Sequence, residues 1–209
     1  MIRATLPMNF DDAYKFLIEL EGDKKWINPV DGPEYRGLLQ KYYEPGLHML
    51  GFPMGERLPD SVLDLTEEQH EHYVFVKFWE RLFFEKRGAG FVCVPEMKLL
   101  QGVAAPIFFM FYSTWDDAIK CAQRTSRFLK DDGNLGPLTY SFLHSIGAEH
   151  VLEWWKSKTN HPYVTDRCYF SMCYRKYIGH PKEAGLVKRL EKIDLWLRQE
   201  IKEAGGEGE

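Results

Sequence analysis

The chain has 209 residues, with 27 Lys and Arg against 31 Asp and Glu, for a formal charge of −4. With 44% hydrophobic and 15% aromatic residues, it can fill a core without a disulfide or metal staple, which excludes a disordered chain. The acidic balance argues against a dedicated nucleic-acid binder. Apolar runs such as Ile107–Tyr112 fall far short of the ~18–20 residues a membrane span needs.

The opening MIRATLPMNF has one Arg and no apolar stretch, so no secretory signal is expected and synthesis in a reducing cytoplasm is. Asn9 is a suitable N-cap, with Asp11 and Asp12 at the positive helix end. Phe10, Ala13, Leu17 and Leu20 then give one apolar face, and Gly22 ends the helix. An irregular stretch follows from Asp23 to about Pro59, rich in Gly, Pro and Tyr, with room for a short strand around Tyr35–Leu39. Thr66 to Gln69 is a capping box opening a helix through Tyr73, Phe78, Trp79 and Leu82, closed by Arg87-Gly88-Ala89-Gly90. Pro95 fits another first turn, and Pro106 is expected to interrupt the apolar run after it. Ser113 or Thr114 caps a helix with Asp116 and Asp117 in its first turn. Gly136-Pro137 starts the next, with Leu138, Phe142 and Ile146 expected inward. Thr165 caps a helix to Ile178, and a last helix from Lys182 to Glu203 carries the stripe Leu186, Leu190, Ile193, Leu197. The expected class is mainly α.

Metal and nucleotide chemistry find little support. The His residues are scattered, and His70 and His72 point to different helix faces. HExxH, zinc spacings, P-loop, GxGxxG and GxSxG are all missing from the sequence, so no metal or cofactor is expected. Cys93, Cys121, Cys168 and Cys173 form no CxxC pair and read as reduced thiols.

Glu21 stands out. It lies four residues after Leu17, so it continues the apolar face, and it sits at the helix C-terminus, where the macrodipole opposes a negative charge. Both conditions favour the neutral acid, the form a glycosidic proton donor needs. The residues alone equally allow a surface Glu before a Gly cap. Asp31 and Glu34 are candidates for the second carboxylate of a glycosidase, although Asp31-Gly32-Pro33 is also a plain turn. Trp26, Tyr35, Tyr42 and Tyr43 are suited to stacking on sugar rings or to packing. The segment Asp132–Thr139 is a turn leading to a helix with Pro at its first position.

Asn9-Phe10-Asp11-Asp12-Ala13 through Leu20-Glu21-Gly22 resembles the opening of glycoside hydrolase family 108, the phage-type and secretion-associated muramidases. Asn28-Pro29-Val30-Asp31-Gly32 and Gly37-Leu38 look like the family's following loop. Leu65-Thr66 to Phe78-Trp79 is similar to its helix ending in an aromatic-Trp pair. Ala118–Gln123, Asp132–Thr139, Arg167–Tyr174 and Trp196-Leu197-Arg198 resemble its C-terminal peptidoglycan-binding module. The resemblance implies a lysozyme-like helical fold: a catalytic part over 1–100, a binding module over 101–203 and a tail at 204–209. It implies hydrolysis of the β-1,4 bond between N-acetylmuramic acid and N-acetylglucosamine, with Glu21 as general acid. Asp31 or Glu34 would assist, and Trp26, Tyr35 and Tyr112 would contact substrate. The implied partner is bacterial peptidoglycan, met as a monomer at the wall after passage through a holin, a secretion system or a virion. The chain departs from the family pattern at Asp23, where the family has a second Gly, and at Glu34, near its Thr. Phe108, Tyr112 and Thr114 stand in place of an Asp–Asn–Gly pattern, which leads to the expectation of a reshaped cleft, or of a wall-binding protein without turnover.

Overall fold

The computed structural model describes residues 10–44, 57–79, 82, 84–87, 90–93, 101–114, 116–146, 150–156 and 167–205. The fold is mainly helical, with eight α-helices and two small antiparallel sheets among the described residues. The chain divides into two compact units, one of residues 10–80 and one beginning at 81. The division expected at 100/101 therefore falls inside the second unit.

In the first unit, α1 spans Phe10–Glu21 and buries Ala13, Tyr14, Phe16 and Leu17 at helical spacing. Gly22 ends it with φ +82°, a left-handed conformation that a Cβ would strain, and its N–H reaches the Ile18 carbonyl at 2.7 Å. The expected cap Asn9 lies outside the described residues. A three-stranded sheet follows, β1 (Lys25–Asn28), β2 (Gly32–Tyr35) and β3 (Leu38–Leu39), in that order. Part of the stretch expected to be irregular is thus sheet, and the strand expected over Tyr35–Leu39 is broken by a two-residue turn. That turn is Arg36-Gly37, with φ +50° and +80°, the sign that matches the twist of paired strands. Trp26 pairs with Glu34, and Lys25 with Tyr35, which in turn pairs with Leu38. Paired residues share a face, so Tyr35 and Leu38 lie on the buried side and Trp26 and Glu34 on the other.

The capping box before α2 (Glu67–Val74) forms as expected, with Gln69 N–H on Thr66 Oγ1 at 3.1 Å and Thr66 N–H on Gln69 Oε1 at 3.0 Å. The helix then widens into a π-turn over Phe75–Trp79. Simple 3.6-residue spacing does not anticipate this, and it lets the consecutive Phe78 and Trp79 both be buried.

The second unit starts with a hairpin, β4 (Phe84–Arg87) and β5 (Gly90–Cys93), paired Arg87 to Gly90. The sequence reading of Arg87–Gly90 as a helix stop is corrected here: two residues between paired strands is a hairpin spacing. At the unit's centre lies α3 (Gln101–Thr114), in which residues 103–112 are all buried. A helix apolar on every side must be surrounded by others. Around it α4 (Asp116–Arg124), α6 (Val151–Lys156) and α8 (Glu183–Gly205) pack directly, and α7 (Tyr169–Tyr177) packs on those three. Pro106 sits inside α3 instead of breaking it. Its cost of ~3 kcal/mol is outweighed where each buried large apolar side chain contributes ~1.5–3 kcal/mol.

On α8, Leu190, Ile193 and Leu197 are buried as expected. Asp194 joins them, accepting from Trp155 Nε1 at 3.1 Å, Lys156 Nζ at 2.7 Å and Arg198 Nε at 3.2 Å. Burial by itself raises the pKa of this carboxyl; the Lys156 and Arg198 bonds outweigh burial and hold it below the usual range. Cys121, Cys168 and Cys173 are buried free thiols.

The connection from α4 to α5 (Pro137–Ser145) hangs on one buried amide. Gln123 Nε2 donates to Asp132 Oδ1 at 3.0 Å, to the Asn134 carbonyl at 2.8 Å and to Thr139 Oγ1 at 3.3 Å, while its Oε1 accepts from Gly133 N–H at 2.9 Å. This grip turns Thr139, Tyr140 and Leu143 inward. Leu138, expected inward, is 76% exposed. With Phe128 and Phe142 it lines an open groove of about 670 Å³ above Trp154. Gln123→Ala removes the acceptor of the buried Gly133 N–H and one bond to the buried Thr139 hydroxyl. It is expected to lower the unfolding free energy by ~1–3 kcal/mol in urea titration, whereas Arg124→Ala, at the exposed ion pair to Asp131, is expected to cost less than ~1 kcal/mol.

Candidate active site

Glu21 is the last residue of α1 and is half-buried. Its carboxyl lies against the backbone of Gly37, in the β2–β3 turn. A Cβ added at Gly37 would stand 2.6 Å from Glu21 Cδ and 2.7 Å from Oε2. Only glycine satisfies both the positive φ and this close approach. The fold thus brings the candidate proton donor directly onto the sheet.

The residue beside Gly37 organises the surroundings. Arg36 is 6% exposed. Its Nε donates to Asp23 at 2.7 Å, one terminal nitrogen to Tyr14 Oη at 3.1 Å and the other to Glu67 at 2.8 Å. Asp23 is held below the usual carboxylate range chiefly by that hydrogen bond. Because a guanidinium can only donate, the Tyr14 hydroxyl accepts from Arg36 and gives its own proton to His70 Nδ1, 2.8 Å away. The remaining His70 N–H then faces the Tyr35 carbonyl. The direction of the chain is fixed by its first member. Burial pushes the Tyr14 hydroxyl up to about 12, with the Arg36 hydrogen bond opposing it. Burial first, and the Arg36 charge second, bring His70 down to about 3.

Glu34 projects from β2 beside Trp26 and accepts from Asn28 Nδ2 at 3.2 Å. Asn28 also shapes the β1–β2 loop, its Oδ1 taking the Val30 and Asp31 N–H groups at 3.0 and 3.2 Å. Asp31 lies in that loop, at the opposite end of β2 from Gly37. The two turns are separated by ~10 Å of strand. Its carboxylate accepts from Lys41 Nζ at 2.6 Å, and this hydrogen bond holds the lysine above its ordinary range. Glu34 is therefore the acid nearer to Glu21 along the sheet.

Trp26 is 44% exposed, with a ring open to a ligand. Tyr35 is not: at 4% exposure it stands edge-on to His70, 5.0 Å between centroids, under the Lys25 ammonium at 4.7 Å. Its expected place in a sugar platform is corrected to a core position, because it alternates with Glu34 and faces inward. Tyr112 is corrected likewise. At 5% exposure it belongs to the buried surface of α3, and Phe108 is fully buried there. Both fill the core of the second unit, so the expectation that they reshape a cleft does not hold for them. Thr114 turns its hydroxyl back to the Met110 carbonyl at 2.7 Å.

The sequence carries no signal for the roles of Arg36 and the Asn28 amide in this network. His70 did leave a signal, since it shares a helical face with Tyr73 and Val74. Among the described residues, no group of three or more His, Cys, Asp and Glu side chains converges as a metal site, and no helix is long and apolar enough to cross a membrane. No protein-family model matches the chain, and no curated protein or solved structure matches it significantly.

His70 has a consequence for acid stability. Its folded value near 3 lies below the unfolded value of ~6.5, so between those limits the unfolded chain binds more protons. The stability contributed by neutral His70 is complete above ~pH 6.5 and declines as pH falls, by at most ~1.4 kcal/mol per pH unit. Urea titrations from pH 7 to pH 4 are expected to show this decline, and His70→Gln should reduce the slope by up to one proton's worth.

Proposed function

We propose that the protein is a peptidoglycan hydrolase of the N-acetylmuramidase type, cleaving the β-1,4 bond between N-acetylmuramic acid and N-acetylglucosamine. The reading is carried by one observation: Glu21, ending a helix, packs its carboxyl on Gly37 of a small antiparallel sheet whose outer face carries Glu34 and Trp26. It is supported by the resemblance of the flanking residues to muramidases of family 108.

Glu21 acts as general acid, giving its proton to the glycosidic oxygen as the bond to the anomeric carbon lengthens. Positive charge gathers on that carbon and its ring oxygen. Glu34, oriented by the Asn28 amide, supplies the opposing negative charge and steers the water that completes hydrolysis. The proton lost by that water restores the acid form over the cycle. Trp26 offers an apolar face for a sugar ring. Asp31, neutralised by Lys41, takes the lesser part. The substrate is the wall polymer, and the protein acts at the bacterial wall as a monomer with no cofactor.

A second reading, wall binding on a muramidase fold without turnover, is favoured by that same Lys41–Asp31 pair, which removes one carboxylate from chemistry. Reducing-end release from purified peptidoglycan decides between them. Wild type is expected to cut. Glu21→Gln should lose at least ~10²-fold and Glu34→Gln ~10–10²-fold, while Asp31→Asn stays within ~3-fold. Wild type and Glu21→Gln that both sediment with walls, and neither of which releases sugars, would establish the binding protein instead.

A further inference from the structure

Arg36 grips the chain on both sides of Glu21. Tyr14 lies two helical turns before Glu21 on α1, and Asp23 lies just after the Gly22 cap. Both bind the same guanidinium, at 3.1 and 2.7 Å. The third arm reaches Glu67 in the first turn of α2 at 2.8 Å. Asp23 and Glu67 are largely in solvent, with side chains 58% and 74% exposed, yet the guanidinium they hold is 6% exposed. The fork therefore reaches outward from inside the unit, stretched between the exit of α1, the start of α2 and its own turn.

That turn carries the second observation. Arg36 has φ +50°, a conformation that a side-chain-bearing residue keeps only when its surroundings impose it. Gly37, next along, is the residue on which the Glu21 carboxyl rests. The cation thus joins, through one rigid plane, the backbone before Glu21, the backbone after it and the surface beneath it.

On the muramidase reading, we infer that Arg36 is a positioning residue for Glu21: its fork locks the end of α1 against the Arg36-Gly37 turn, so that the carboxyl is held beside the Gly37 backbone. Lysine cannot substitute. An ammonium's three donors radiate from one nitrogen, whereas the planar fork meets these three partners from three nitrogens in fixed directions. The role concerns orientation more than sugar affinity, because the sugar face at Trp26 and Glu34 lies on the other side of the sheet from the Tyr35 ring over which Arg36 sits. A displaced proton donor costs turnover steeply, on the order of 10²-fold per ångström.

The test compares wild type, Arg36→Lys, Tyr14→Phe and Glu21→Gln on glycan fragments of uniform length, well below each melting temperature. Arg36→Lys is expected to lose ~10–10²-fold in kcat with KM within ~2-fold, and Tyr14→Phe, which removes one arm only, ~3–10-fold. A kcat per folded molecule unchanged in both would overturn the proposal, leaving Arg36 a purely structural cation. A second readout needs no turnover: the side-chain carboxyl ¹³C resonance of Glu21, assigned by its loss in Glu21→Gln. It is expected to move in both Arg36→Lys and Tyr14→Phe more than that of any glutamate other than Glu67, which Arg36 binds directly, and an unmoved resonance overturns the proposal. If wild type releases no sugars, the muramidase reading fails and the resonance alone decides whether Arg36 positions the carboxyl. If Arg36→Lys does not fold, Tyr14→Phe carries both measurements.

Discussion

A buried guanidinium organises the first unit. Taking Arg36 out of water costs several kcal/mol, and the cost is offset only if every face of the fork finds a partner. Asp23 and Glu67 supply opposite charge, Tyr14 a neutral acceptor and Tyr35 an aromatic face at 5.1 Å. Each partner belongs to a different piece of chain, so satisfying the charge dictates how α1, the sheet and α2 meet. The same charge bears on the protonation of its neighbours. Tyr14 can only pass its proton onward, and burial first, with the Arg36 charge second, keeps the His70 ring neutral. Removing one partner would leave one arm of the buried fork unpaired.

The second unit is held by different physics. Its axis is α3, whose residues from 103 to 112 are buried, and two buried polar side chains of this unit are each held by several partners. Gln123 meets three partners in one loop and a fourth on α5, and Asp194 three donors from two helices. Non-directional burial supplies the stability, and these two side chains select one loop path and one helix register from among packings of similar apolar area.

On the proposed muramidase reading, these properties belong together. A proton donor must keep one orientation while positive charge forms on the sugar, and the first unit pins its helix end with directional, charge-assisted bonds. The flanking acids are then separated by environment. Glu34 lies beside an aromatic ring and an amide, whereas Asp31 is answered by Lys41 at the far end of the strand.

The sequence by itself determined what depends on neighbours along the chain. The Thr66 box, the Gly22 stop, Pro137 after Gly136 and the α8 stripe were legible because caps, φ preferences and helical spacing act within a few residues. It also marked Glu21 as an acid on an apolar face. Tertiary structure decided the rest. Tyr35 and Tyr112 have the composition of ligand-binding aromatics, but strand alternation turns one inward and an encircling set of helices covers the other. Leu138 has the spacing of a core residue, yet the Gln123 network presents the opposite side of α5 to the interior. The turn at Arg36 defies local preference, since a non-glycine residue at positive φ is unfavourable alone. It exists because partners from positions 14, 23 and 67 converge on its side chain, a convergence that no window of sequence contains.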